Sequence, residues 1–515
     1  MIASDASTQR KVGALLSYVG LVLNALANFI YVPLLLGFLT TQEYGVYELI
    51  GSIIAYLSVM DMGLCTTLNR YYVRIKITQG SRAVQNLLFM AAVVYGLLAA
   101  LAVAAGFAFD WALDPLYGGS FTQSELALVH EMMRLVILNT VVVLPGNWFL
   151  ALINANERFV FARAVSIGKC LLQIVAVLAV LTIKASAMAV LAVQVGVNLA
   201  SVLLYVLYTG RVLGLRPKFD HWDWPLLASM LSFSSFILLN MVFDQVFWKT
   251  GQLVLGVVAG SSSVAVYGIA CKVITAGYMQ VSTGITGVFL PKLTAISART
   301  SDMAEINELF VRIGRFQAIM VWGVLAAFCV MGADFIHLWA GPAFDDAYPA
   351  VVVLMLGLSV CLIQNLGISV LQAKNKMAFR AVVYILLAAL DVVVSIPAAA
   401  CFGVIGCAVV AAALLFVGTG PIMNTYYHKV IGIDVRAFFK SVLPLALPAV
   451  LSGVATAGVR VLLGWGVSWG GLMAEALVFM AVYGLLLWHV WANSYEKGLV
   501  RSLLMRVGIR RQAGE

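Results

Sequence analysis

The chain has 515 residues, of which 63% are apolar and 11% charged, and its 32 Lys and Arg outweigh 23 Asp and Glu to give a net charge of +9. A soluble domain carries roughly 45–50% apolar and about 25% charged residues, because its surface must be covered by polar groups. The composition therefore excludes a cytosolic enzyme and a disordered chain. Seven cysteines in or beside apolar runs, with no Cys-x-x-Cys pair, exclude a disulfide scaffold as well.

A bilayer core of about 30 Å needs about 20 apolar residues per helix. Fourteen runs meet that length. The first six lie near 12–39, 44–73, 84–109, 126–152, 159–183 and 187–209. Six more lie near 226–256, 264–296, 313–333, 349–372, 379–401 and 403–427, and a last pair near 438–463 and 471–493. Long continuous runs, rather than ten-residue alternations, predict helices and not barrel strands. Pro33, Pro145, Pro397, Pro421, Pro444 and Pro448 fall inside or at the ends of these runs, where each removes a backbone hydrogen bond and permits a kink.

The first run is too long for the apolar core of a signal peptide, has no cleavage site and follows Arg10 and Lys11. It is expected to be retained, with both termini of a fourteen-span chain in the cytoplasm. On that topology 27 of the 32 basic residues, Lys169 among them, fall on the cytoplasmic side, as the positive-inside rule requires. The exceptions are Arg134, Lys184, Lys249, Lys272 and Arg460. The basic excess is thus a membrane-face bias and not a nucleic-acid patch. The opposite loops are acidic (Glu43, Asp110, Asp114, Glu125, Asp334, Asp345, Asp346) and too short to hold an extramembrane domain. The stretch Tyr495 to Arg511 reads as an interfacial amphipathic helix.

Two short matches recur at nearly one offset. Gly45-Val46-Tyr47 corresponds to Ala265-Val266-Tyr267 at 220 residues, and Ala155 to Phe161 corresponds to Ala373 to Phe379 at 218 residues. Both fall at equivalent places between spans. They predict two six-helix lobes in parallel repeat, residues 1–210 and 211–430, with spans 13 and 14 and a basic tail in 431–515.

No G-x-x-x-x-G-K-[ST] motif is present; Gly168-Lys169 is followed by Cys170, which lacks the hydroxyl that a P-loop offers to Mg²⁺. The five histidines show no i, i+4 pairing, so no metal or haem site is expected. What remains are ionisable residues inside apolar runs, each a functional candidate because charge at bilayer depth is costly. They are Glu48, Asp61, Asp244, Lys249, Lys272, Asp391 and Glu475. Lys249 and Lys272 flank the outer loop 257–263 at about eight residues inside it, some ~12 Å of depth on neighbouring helices. Two ammonium groups at matched depth suit an anionic head group; the alternative is that each snorkels to the interface. Arg70, beside the inner end of span 2, and Arg134, toward the outer end of span 4, would extend a cationic lining. Membrane-face anchoring for Arg70, and pairing with Glu131 or Glu125 for Arg134, are the competing readings. Asp244 lies off the Lys249 face and reads as a cation site or a structural polar contact.

These residues carry a resemblance. Tyr44-Gly45-x-Tyr47, Asp61-Met62-Gly63-Leu64 and Asn69-Arg70-Tyr71 resemble the opening of lipid-linked oligosaccharide flippases, the polysaccharide-transport branch of a superfamily that also holds multidrug antiporters and peptidoglycan-precursor flippases. Ala155-Asn-Glu-Arg-Phe, the stretch Asp244 to Gly256 leading to Val266-Tyr267, Pro291, Leu338-Trp-Ala-Gly-Pro342 and Leu371-Gln-Ala-Lys-Asn-Lys376 continue the likeness through span 12. The resemblance implies an all-α polytopic membrane protein with two six-helix lobes around a central cavity and two extra helices. It implies a non-enzymatic flippase in the bacterial cytoplasmic membrane, without a cofactor. Its cargo would be an undecaprenyl-pyrophosphate-linked oligosaccharide for O-antigen, capsule or exopolysaccharide, moved to the outer leaflet by alternating access, with other glycan-assembly proteins as partners. Proton or sodium coupling in some relatives makes Asp61, Asp244 and Asp391 the carboxylates of interest. A cation-coupled drug antiporter of the same fold and, further off, a membrane-embedded glycan polymerase or ligase are the alternative functions.

Overall fold

A computed structural model of the protein describes residues 6–215, 217–284, 286, 303–374 and 376–498. Lys292, Arg299, Pro291 and the end of the eighth expected span lie outside these, as do Arg216, Asn375 and the tail beyond residue 498. The side chains of Arg10 and Lys11 also lie outside the description. Every element among the described residues is helical, because in lipid each backbone N–H and C=O must find its partner within the segment.

In chain order the helices are α1 (Ala6–Leu36), α2 (Thr41–Ser58), α3 (Leu64–Thr78), α4 (Ser81–Tyr117), α5 (Gln123–Ala155), α6 (Phe159–Ile183), α7 (Ala187–Tyr208) and α8 (Trp224–Lys272). They continue with α9 (Met303–Trp339), α10 (Ala347–Ile363), α11 (Leu366–Ala373), α12 (Met377–Val417), α13 (Ala446–Leu463) and α14 (Trp469–Leu486). Short helical turns extend several of these, and Val435–Val442 leads into α13. Eleven described helices are long and apolar enough to cross a membrane, or twelve if Ala347–Ile363 and Leu366–Gln372, bent by 46°, form one span.

Two of the eleven are too long for one crossing. Trp224–Gly284 has 61 residues and Met377–Ile431 has 55, about 90 and 80 Å of helix at 1.5 Å per residue. Each is interrupted by one glycine, Gly260 (φ 81°, ψ 179°) and Gly403 (φ 56°, ψ −134°). Divided there, the two segments supply four spans, which brings the count among the described residues to thirteen, or to the expected fourteen with the bent pair taken as one span. The loop expected at 257–263 is therefore a reversal at a single residue, which only glycine tolerates without strain. The second expected span differs in the other direction. It breaks at Met62 and Gly63, both in left-handed conformation, and continues as α3.

Two entry turns are fixed by reciprocal caps. Thr40 accepts from the Glu43 amide at 3.2 Å and Thr122 from the Glu125 amide at 3.3 Å, while each glutamate side chain returns to the threonine amide. The acids expected in outer loops thus include two that are helix caps.

Contacts group the chain into two compact units, Met1–Ala276 with Ala378–Ala411, and Gly277–Met377 with Ala412–Glu515. In the first unit α2 packs along α8. A Cβ at Gly45 would collide with the Ser261 carbonyl just past the Gly260 reversal, so the two backbones touch there. The sequence repeat takes part in this seam, with Gly268 lying against the Glu48 side chain. Helices α3, α4 and α5 bury Leu68, Tyr72, Leu87, Leu88 and Leu152 in one core cluster.

In the second unit α9 is the central helix. Arg315 donates to Glu496 at 2.8 and 3.2 Å, to the Ser441 carbonyl at 2.9 Å and to the Trp491 carbonyl at 3.0 Å. At the other end of α9, Asp334 accepts from Arg460 at 2.7 Å, and Arg460 lies 3.5 Å from Glu475 of α14. The last two spans are thus tied to α9 at both ends.

Two outcomes test this frame. Gly45→Val is expected to lower the thermal midpoint of the detergent-solubilised protein by several degrees, since the opposing atoms are backbone. Gly96→Ala, which meets nothing within 4 Å, is expected to leave the midpoint unchanged or slightly raised. Arg315→Ala strands the buried Glu496 carboxylate and is expected to cost about 3–5 kcal/mol, visible as a lower midpoint in the same melt. Glu496→Gln is expected to cost less.

Candidate functional site

The seam between α2 and α8 holds a row of polar groups in otherwise apolar helices. Glu48 lies two turns inside α2, and only 4% of it is exposed. Its carboxylate pairs with the Lys272 ammonium. Lys272 also donates to the Tyr44 hydroxyl at 3.1 Å and sits 5.3 Å from the centre of that ring. Gln252 bridges the row. Its Nε2 donates to Glu48 at 3.3 Å, while its Oε1 accepts from Lys249 at 3.3 Å and from the Ser52 hydroxyl. Ser52 and Gln252 are each fully buried.

Lys249 and Lys272 stand eleven and twelve residues from Gly260, about 16–18 Å along their helices. That is deeper than the sequence suggested, because the expected loop has shrunk to one residue. A lysine stem of about 6 Å cannot reach the interface from there. Burying these charges is tolerable because each is paired or hydrogen-bonded. The row holds two cations and one anion, a net charge of +1. Directly after Lys272 the helix loosens into a π turn over Val273–Tyr278, a distortion often found beside functional residues.

Next to the row, on the same two helices, lies an apolar cavity of about 580 Å³. Ile53, Leu57, Leu253 and Val254 line it, with Phe109 from α4 and Ile396 from α12. Tyr56 and Thr250 stand on its wall and hydrogen-bond to each other at 2.6 Å. A charged row and an oily chamber thus share one pair of helices.

The other expected residues sit elsewhere. Arg70 lies over the Phe233 ring at 4.4 Å on α3, and Arg134 is exposed on α5 without an ion-pair partner among the described residues. Neither joins the row. Glu125, one of the partners open to Arg134, is taken by Thr122 and Ser261. Asp61 is buried at the α2–α3 break, where Asn147 donates to it at 3.1 Å. Asp244 is on the exposed side of α8 with Arg380 as the cation acting on it. Asp391 is almost fully buried on α12 and accepts from Ser395 at 3.3 Å. No group of three or more His, Cys, Asp or Glu suited to a metal ion occurs among the described residues.

The sequence reading singled out the two lysines but not Glu48 as their counter-ion, nor Tyr44, Ser52 and Gln252. Glu48 carried a signal: it follows Tyr47 as Gly268 follows the equivalent Tyr267. Lys169, counted with the cytoplasmic loops, lies ten residues inside α6, whose bounds are those expected for the fifth span, so the count set it against the expected run itself.

No curated protein matches the chain by sequence. Among solved structures, the lipid II flippase MurJ in an inward closed conformation is similar over 97% of this chain and 100% of its own, with a TM-score of 0.72 at 11% identity. An inward-facing multidrug resistance MATE family transporter of the MOP superfamily covers 80% of this chain and 96% of its own, with a TM-score of 0.61 at 13% identity. A point mutant of the Vibrio cholerae MATE transporter VcmN covers 83% and 98%, with a TM-score of 0.52 at 13% identity. At these identities the likeness establishes the fold. A family model described as polysaccharide biosynthesis protein matches residues 34–349, more than half of the chain and the whole α2–α8 seam. The chain therefore belongs to the polysaccharide biosynthesis protein family.

Proposed function

We propose that the protein is a flippase that carries a polyprenyl-pyrophosphate-linked oligosaccharide from the cytoplasmic to the outer leaflet of a bacterial inner membrane. The observation that carries this reading is the charged row beside the apolar chamber. An amphiphile with an anionic head and a hydrocarbon tail is the ligand class that both features serve. Lys249 and Lys272 would hold the pyrophosphate, with Arg70 and Arg134 along its path. Family membership directs the cargo toward glycan assembly, whether O-antigen, capsule or exopolysaccharide, alongside the other proteins of that assembly.

The ion pair suggests how binding drives movement. A pyrophosphate arriving at Lys272 competes with Glu48 for the same ammonium, and so weakens the contact that closes α2 on α8. A ligand shifts a conformational equilibrium only by its differential affinity for the two states. Here that difference lies in which anion Lys272 holds. Residues 1–210 and 211–430 are the lobes that would move, with both termini in the cytoplasm. Asp61, Asp244 and Asp391 are the carboxylates through which a proton or sodium gradient would reset the cycle.

The deciding measurement is leaflet exchange of a defined lipid-linked oligosaccharide by the full chain in liposomes, with and without an ion gradient. A charge-assisted hydrogen bond contributes about 2 kcal/mol, so Lys249→Ala and Lys272→Ala are each expected to slow exchange about thirtyfold. Unchanged exchange in the double variant would refute the cationic site. Gradient-driven export of a cationic drug by that same variant would favour the antiporter, a reading that the central Glu48 carboxylate keeps in view.

A further inference from the structure

A second cavity, with polar groups in its lining, lies between α1 and α6, apart from the row just described, and has a volume of about 300 Å³. We infer that it is a binding site for a phosphoryl anion, with Lys169 as the charged ligand. This rests on the cavity itself and not on the transport reading above.

Lys169 lies near the middle of the 25-residue α6, about 15 Å from its nearer end and so close to the bilayer centre. Its stem is too short to bring the ammonium to either interface. Among the described residues no carboxylate lines the cavity, and none makes an ion pair or hydrogen bond to Lys169. The nearby acid of α2, Glu48, acts on Tyr31 at the cavity edge but is already held by Lys272. An uncompensated ammonium at this depth marks a ligand pathway or site.

The remaining lining supplies donors. Asn24, Asn28 and Tyr31 recur at i, i+4 and i+7 on α1, and Ser166, Lys169 and Gln173 recur at i, i+3 and i+7 on α6. Each spacing puts its three residues on one helix face. Asn24 and Asn28 each spend one amide hydrogen on a carbonyl of their own helix, at 2.8 and 2.9 Å, which leaves the second free. Donors from two opposed helices, converging on one point charge, suit a tetrahedral polyoxyanion better than a planar carboxylate, which an arginine fork would match. The volume is at the small end of ligand sites and fits a head group, not an oligosaccharide. Only 12% and 11% of the apolar cores of α1 and α6 are buried, so the cavity is open to a lipid phosphate as well as to a soluble one.

Cys170 lines the same cavity as a free thiol and serves as the reporter. The full chain, with its other six cysteines replaced, would be placed in nanodiscs and its Cys170 alkylation rate measured with N-ethylmaleimide, which reaches thiols at bilayer depth. Inorganic pyrophosphate is expected to slow alkylation at least tenfold in phosphatidylcholine discs. Protection that appears only in phosphatidylglycerol discs would identify a lipid head group as the source of the phosphoryl group, and supports the site equally. Lys169→Gln is expected to abolish protection, while Lys169→Arg retains it and shows that the fold is intact. Protection undiminished in Lys169→Gln, or absent in every arm, would overturn the inference.

Discussion

Glu48 and Lys272 meet in the interior of two apolar helices, where either charge alone would be prohibitive. Much of the first unit can be understood as what that pairing requires. The helices must approach closely, so Gly45 gives up its side chain where Ser261 presses against it. The chain must reverse abruptly to bring residue 272 back beside residue 249, so Gly260 adopts a torsion closed to other residues. The remaining lone pairs and protons must be satisfied, and Tyr44, Gln252 and Ser52 do so. A buried ion pair adds little net stability, but removing one partner is expensive. It therefore acts more as a latch than as glue, strong only while both halves are present.

The second unit spends its charges differently. Arg315 and Arg460 each engage carboxylates near an end of α9 and fasten the last two spans to it. Arg315 uses four of its five donors, on two carboxylate oxygens and two backbone carbonyls. A planar fork held at so many points is a structural joint. The α2–α8 row uses lysines instead, which are single-point cations that exchange one anion for another without rebuilding a fork. The choice of cation thus separates the part of the molecule that is fastened from the part suited to exchanging partners.

The polar features of the first unit also sit where lipid makes them most costly. The ionic row adjoins an apolar chamber on one side, and a donor-lined cavity opens between α1 and α6. Similarity to MurJ and to the MATE transporters fixes how the helices are arranged. It leaves the chemistry of these sites to this chain's own residues, since at 11–13% identity few side chains are shared.

The sequence by itself determined the class of protein and nearly all of its spans. Run length against bilayer thickness is a local quantity, and each run carries its own evidence. It also singled out Lys249 and Lys272, because charge inside an apolar run stands out in one dimension. What it left open was pairing. Glu48 and Lys272 are separated by more than two hundred residues, and only the reversal at Gly260 and the bare face of Gly45 set them side by side. Lys169 was placed too shallow for a different reason: it lies inside the expected 159–183 run, which coincides with α6, but was counted with the basic residues of the loop before it. Asn24, Asn28 and Gln173 are unremarkable singly and become a cavity only when α1 lies against α6. Hydrophobic length is written along the chain, whereas the partner of a buried charge is a property of the packed helices.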